Sequence, residues 1–142
     1  TRPFNYTGVG QAEHFLIPKI VAHYRQRQPV IELGNLEVIR DFSDVRFVVE
    51  VYRQLLESDI QGETVNLCSG AGVTLGEIIE KMNEIAGYAI QVRVNPAFVR
   101  ANEIHRLIGD NRKLRRLIGA IPAFPIDAIL STLYHHSTLS SG

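Results

Sequence analysis

Between residues 64 and 94 the chain carries a strand-like run, a capped amphipathic helix and a second strand-like run in immediate succession, and this restricts it to an α/β domain. Residues 64–68 are β-branched and apolar, as a buried strand requires. Thr74 and Glu77 have the spacing of a capping box, in which hydroxyl and carboxylate satisfy each other's free amides. Behind them Leu75, Ile78, Ile79, Met82 and Ile85 recur at helical spacing, and Gly87 provides the stop. Residues 89–94 alternate as a strand, which Asn95-Pro96 breaks.

The remainder follows the same grammar. Residues 1–5 read as an extended segment feeding a loop around Gly8 and Gly10. Pro18 suits the first turn of a helix carrying Ile17, Ile20, Val21 and Tyr24, which ends before Pro29. Residues 30–33 form a short strand, Gly34-Asn35 a turn, and residues 37–42 a second extended piece. Ser43 or Asp44 caps the next helix, whose Val45, Val48, Val49, Tyr52, Leu55 and Leu56 are expected to form its buried face. Asp110 caps a basic helix over residues 111–118, closed by Gly119. A last amphipathic helix carries Ile126, Ile129, Leu130 and Leu133, and a polar tail begins at His135. No internal repeat interrupts this order.

Net charge is formally zero across the 142 residues, so no global field attracts nucleic acid or an anionic membrane. Any bound anion must be held by local geometry. One cysteine, Cys68, excludes an internal disulfide, and the five histidines do not fall at ligand spacings, so no metal and a reducing, cytoplasmic setting are expected. No apolar run has the length of a membrane span, and the first residues do not resemble a signal peptide. The chain opens on Thr1 rather than Met, which is compatible with a fragment.

The motifs that could carry chemistry are incomplete. Gly70-Ala71-Gly72 with Gly76 follows a strand and opens a helix, but its glycines are misplaced for a dinucleotide fingerprint and a plain turn is the better reading. None of the tyrosines has a lysine four residues on, so the Tyr-x-x-x-Lys acid–base pair is missing, and no nucleophile elbow is present. No catalytic residue is therefore assigned. Arg40 lies in an otherwise apolar extended piece, where it is either a fork for phosphate oxygens or a surface partner of Asp41 or Asp44. Arg100 and Glu103 could supply a cation for phosphate and a carboxylate for sugar hydroxyls, or pair with each other. Arg112, Lys113, Arg115 and Arg116 read as a solvated face with Leu114, Leu117 and Ile118 inward.

Several segments, in this order, resemble one known group: Arg2-Pro-Phe-Asn-Tyr-Thr-Gly-Val-Gly-Gln11, Phe15-Leu-Ile-Pro-Lys-Ile20, Leu33-Gly-Asn-Leu-Glu-Val-Ile-Arg-Asp-Phe42, Val65-Asn-Leu-Cys-Ser-Gly70, Arg100-Ala-Asn-Glu103 and Gly109-Asp110. They look like the second half of GDP-mannose 4,6-dehydratases and GDP-4-keto-6-deoxymannose reductases, within the extended short-chain dehydrogenase/reductase family. The resemblance implies the C-terminal substrate-binding portion of a Rossmann-type α/β enzyme, with short strands and amphipathic helices. NAD or NADP would be bound mainly by a first half that these residues do not resemble. Residues 1–12 would be the end of a Rossmann strand and its crossover, 13–134 the nucleotide-sugar-binding domain and 135–142 the tail.

The same resemblance implies the site. Asn5 and Lys19 would reach a substrate diphosphate, Arg40 and Arg100 would clamp it, and Glu103 would bind ribose hydroxyls. Gly34, Asn35 and Leu36 would border the base, and Pro3 would lie near the nicotinamide edge. The partner would be a nucleotide-diphosphate sugar, GDP-linked, with a UDP- or dTDP-sugar epimerase part or a stand-alone binding module as alternatives. The intact enzyme would be a homo-oligomer, and this chain alone would not turn over substrate. Two departures stand out: Ala120 occupies a position where the family usually has Trp, and Pro18 replaces a basic residue common in dehydratases, which favours the reductase branch.

Overall fold

The structure, a computed structural model, describes residues 1–99 and 102–136. Its strands are short and mostly parallel. β1 (Arg2–Pro3) pairs with β6 (Asn66–Leu67), β2 (Asn5–Thr7) with β5 (Phe42–Asp44), and β3 (Val30–Leu33) with β8 (Gln91–Val94), all parallel. β4 (Ile39–Arg40) lies between β7 (Val73–Thr74), antiparallel, and β9 (Arg106–Leu107), parallel. Parallel pairing demands long crossovers, and the helices supply them. α1 (Leu16–Arg25) runs between β2 and β3, α2 (Val45–Leu56) between β5 and β6, and α3 (Leu75–Ala86) between β7 and β8. α4 (Arg112–Ile118) and α5 (Ile126–His135) are the last two elements among the described residues.

The larger core joins α1, α3 and α5 to β3, with Ile17, Ile20, Tyr24, Ile31, Ile78, Met82, Ile129 and Leu130 almost without exposure. Pro18 is the third residue of α1, where its missing N–H has no carbonyl to meet. The Thr74–Glu77 capping box forms as its spacing requires, and Gly87 ends α3 in the left-handed region at φ 72°. The smaller core joins Phe47, Val48 and Val51 of α2 to Val65, Leu67 and Leu114. In α4, Leu114 is buried and Leu117 and Ile118 pack beside it, while the basic side chains face outward to Asp110 and Glu63.

The expected buried face of α2 is corrected in part, since of its residues Val48 and Leu55 do pack on the smaller core. Phe47, Val48 and Val51 point inward, whereas Val49, Tyr52 and Leu56 are 62%, 40% and 85% exposed. The helix is apolar on two sides at once: Phe47, Val48, Val51 and Leu55 share one stripe, and Val45, Val49, Tyr52 and Leu56 share another about 100° away. Periodicity does not choose between two such stripes. The entry geometry does, with the Asp44 carboxylate capping the Arg46 amide at 2.8 Å and Val45 lying against Gly8. The outer stripe reaches the start of the chain, where Thr1 Oγ1 meets the Tyr52 hydroxyl at 2.7 Å.

β7 and β9 have no counterpart in the sequence pattern. Each has two residues, too few for alternation to register, and β4 organises both.

Candidate functional site

At the carboxyl ends of the parallel pair β3–β8, the chain leaves through Gly34 on one side and Asn95 on the other. The Asn95 side chain caps the 3₁₀ turn Pro96–Phe98 through the Ala97 amide and also donates to Glu32. Lys19, in the first turn of α1, reaches this corner: its Nζ donates to the Glu32 carbonyl at 3.0 Å and sits 4.9 Å from the centre of the Phe98 ring. A Cβ on Gly34 would stand 2.8 Å from the Phe98 carbonyl oxygen, so glycine is required for that approach. Beyond it, the Asn35 carboxamide accepts from the Glu37 amide, the Leu36 carbonyl accepts from Gly76, and the Leu36 side chain packs on the core. Residues 34–36 thus form a bracket between the β3–β8 corner and the start of α3.

The bracket leads directly into β4. Arg40 is half-buried, and its Nη1 donates to its own neighbour's carbonyl, that of Ile39. Its two anticipated acidic partners are occupied elsewhere. Asp44 caps α2 and forms an ion pair with Arg46, while Asp41 is fully buried and accepts from Ser69, Gly70 and Gly109. Arg40 takes part in none of the six ion pairs found among the described residues. Asn5, exposed in β2, donates its Nδ2 to the Asp41 carbonyl at 3.2 Å, which sets it one residue from Arg40.

Glu103 precedes β9, the strand paired with β4. It lies two residues before His105, whose carbonyl accepts from the Ile39 amide at 2.7 Å, and its Oε2 is buried with no hydrogen-bond partner among the described residues. The structure therefore gathers Asn5, Arg40 and Glu103 around β4, and Lys19 with Gly34 at the adjoining corner. Arg100 lies outside the described residues. Pro3 is exposed in β1, in register with Leu67.

The glycine segment behaves as a turn. Ser69 and Gly70 spend their amides on Asp41, the Ala71 amide goes to the Ser69 hydroxyl, and β7 separates Gly70 and Gly72 from α3, where Gly76 lies. No cradle of free amides is left there for a pyrophosphate. Among the described residues nothing else fits a dinucleotide.

Two concavities lie away from these residues. One, of about 530 Å³, is lined by the 8–11 loop, α1 and the end of α5, including Arg25, Leu133 and His136. The other, of about 200 Å³, lies between Ser43, Phe47, Arg115 and the Ile121 to Pro125 stretch. Neither is lined by a residue of the anticipated site.

Residue patterning missed two participants. Phe98 is an exposed ring beside Lys19 and Gly34, signalled only by its place after Asn95-Pro96. Asp41 is the acidic centre behind Arg40, indistinguishable in sequence from a surface aspartate. Near Asp41, the Cys68 thiol is pushed up to about 11, first by burial and then by the neighbouring carboxylate, so it is no nucleophile at neutral pH.

Residues 1–133 match the protein family described as GDP-mannose 4,6 dehydratase. The chain belongs to this family. It is 36% identical over 139 residues to GDP-6-deoxy-D-talose 4-dehydrogenase of Aggregatibacter actinomycetemcomitans, covering 97% of the chain and 47% of that relative. It is 32% identical over 137 residues to GDP-6-deoxy-D-mannose reductase of Pseudomonas aeruginosa, covering 93% of the chain and 45% of the relative. A crystal structure of a Burkholderia cenocepacia J2315 protein superposes with a TM-score of 0.92 at 50% identity, over 94% of this chain and 44% of that one. Other solved structures of the same fold are complexed with NADPH or NAD. This family member thus spans less than half the length of the relatives it matches, with the Rossmann-type α/β fold that the sequence implied.

Proposed function

We propose that this chain is the nucleotide-sugar-holding part of an NAD(P)-dependent GDP-sugar dehydratase or reductase. The observation that carries the reading is the set of groups at and beside β4: a half-buried Arg40 outside every ion pair among the described residues, Asn5 beside it, and a buried Glu103 oxygen with no hydrogen-bond partner among the described residues. A half-buried guanidinium and an unsatisfied carboxylate are costly unless a ligand completes them. A nucleoside diphosphate does so, offering phosphate oxygens to Arg40 and Asn5 and vicinal hydroxyls to Glu103. Lys19 and Arg100 add positive charge to the diphosphate. Gly34, Asn35 and Leu36 border the base, with the Phe98 ring within stacking reach.

The hydride and proton chemistry belongs to residues this chain does not carry. Pro3 marks the edge at which a nicotinamide would approach, and the cofactor is held by another part of the protein. The role of these residues is remote grip, which orients a hexose for chemistry performed elsewhere.

Calorimetry with GDP, UDP and dTDP tests the ligand class. GDP should bind most tightly, and preference for UDP would assign the site to the epimerase branch instead. An assay of the 142-residue chain with NADP and GDP-linked sugars should show no turnover; sustained turnover would contradict the division of labour.

A further inference from the structure

We propose that Asp41 is a positioning residue for ligand binding: it fixes the backbone from which Arg40 and Asn5 are aimed at the diphosphate. This rests on the reading above that those two side chains hold the diphosphate. Asp41 has no exposure, yet its carboxylate is fully employed. Oδ1 accepts from the Ser69 amide at 2.9 Å and the Ser69 hydroxyl at 2.6 Å, and Oδ2 accepts from the Gly70 amide at 2.9 Å and the Gly109 amide at 3.2 Å. Four short bonds from three residues satisfy a buried carboxylate, which would otherwise be expelled or neutralised.

The main chain of the same residue does the aiming. The Asp41 amide donates to the Leu107 carbonyl at 3.1 Å, and its carbonyl accepts the Asn5 carboxamide at 3.2 Å. Consecutive residues of extended chain project to opposite sides, so a side chain locked inward at position 41 turns Arg40 outward. Gly109 is part of this arrangement, because a Cβ there would run into the Cys68 thiol and the Phe4 ring, and only glycine lets its amide reach Asp41. One carboxylate therefore ties together the loop after β6, the loop before α4, and both diphosphate-facing residues.

The test uses the full chain, free and with GDP or guanosine, in the parent and in Asp41→Asn, Ser69→Ala, Arg40→Ala and the Asp41→Asn/Arg40→Ala double variant. An amide at position 41 replaces an acceptor oxygen by a donor, so two of the four hydrogen bonds are lost. We expect GDP affinity to fall about tenfold in Asp41→Asn and about two- to threefold in Ser69→Ala, with guanosine affinity unchanged in both. In the Arg40→Ala background Asp41→Asn should add little, because the effect travels through Arg40. Without ligand, the Asn5 side-chain amide and Arg40 Nε–H signals should shift in Asp41→Asn and in Ser69→Ala. Equal losses of GDP and guanosine affinity, additive effects in the double variant, or unmoved Asn5 and Arg40 signals would overturn the positioning role. Failure of the diphosphate reading looks different: it shows in the parent chain, as GDP binding no better than guanosine, and takes the proposal with it. If Asp41→Asn does not fold, Ser69→Ala decides the matter alone.

Discussion

Asp44 shows how much one buried carboxylate can contribute. Burial pushes its pKa up, but the side-chain and amide hydrogen bonds from Arg46 outweigh this and hold it below the ordinary value of 3.8. Its stabilising effect is therefore present above that value and fades as pH falls below it. Asp44→Ala should cost about 1–2 kcal/mol in urea unfolding at neutral pH, and the deficit should shrink in acid. Cys68 works at the opposite end of the scale. Its thiol is raised from 9.0 to about 11, and the Tyr24 hydroxyl, buried and bonded to Asn83, is raised above 10.0. Both groups stabilise the fold below their unfolded values, so stability should decline as pH rises from about 9, and native Cys68 should react with a thiol reagent far more slowly than the unfolded chain. An alkaline melting series that stays flat from 9 to 11 would contradict the burial of Cys68. The capping role of Asp44 was legible because its partner is two residues away, whereas Asp41 was not, because its donors lie 28 to 68 residues along the chain.

At the scale of elements, legibility followed length and local chemistry. The 12-residue α3 announced itself by a capping box, one apolar stripe and a closing glycine, all confined to its own turn of sequence. The equally long α2 was recognised as a helix, but its expected face mixed two apolar stripes that satisfy the same period: Val48 and Leu55 do face the core, Val49, Tyr52 and Leu56 do not, and the entry geometry at Asp44 selects between them. This makes a direct prediction. Phe47→Ala should destabilise the chain by about 3–5 kcal/mol in chemical denaturation, while Leu56→Ala on the outer stripe should stay within about 0.5 kcal/mol. Equal costs would mean that the helix is rotated from the position described. Two-residue strands such as β7 and β9 exist because β4 offers them edges, and no window of sequence contains that information.

On the scale of the whole molecule, β1 is paired with β6 alone among the described residues, and Val49, Tyr52 and Leu56 on the outer stripe of α2 are exposed. The family and its α/β frame were legible from the segments around Asn5, Lys19, Arg40 and Gly109. The meeting of the segments of Asn5 and Gly109 beside Arg40, with Lys19 at the adjoining β3–β8 corner, needed coordinates, because it depends on contacts between residues many positions apart. Its most direct test is a titration of the labelled chain with GDP, followed by amide and side-chain NMR signals. Asn5, Lys19, residues 34–36, Arg40 and Glu103 should shift together along one saturating curve, and Arg40→Ala should weaken that curve about tenfold or more. Shifts confined to the concavity around Arg25 and His136, or an unchanged curve in Arg40→Ala, would show that β4 does not hold the nucleotide.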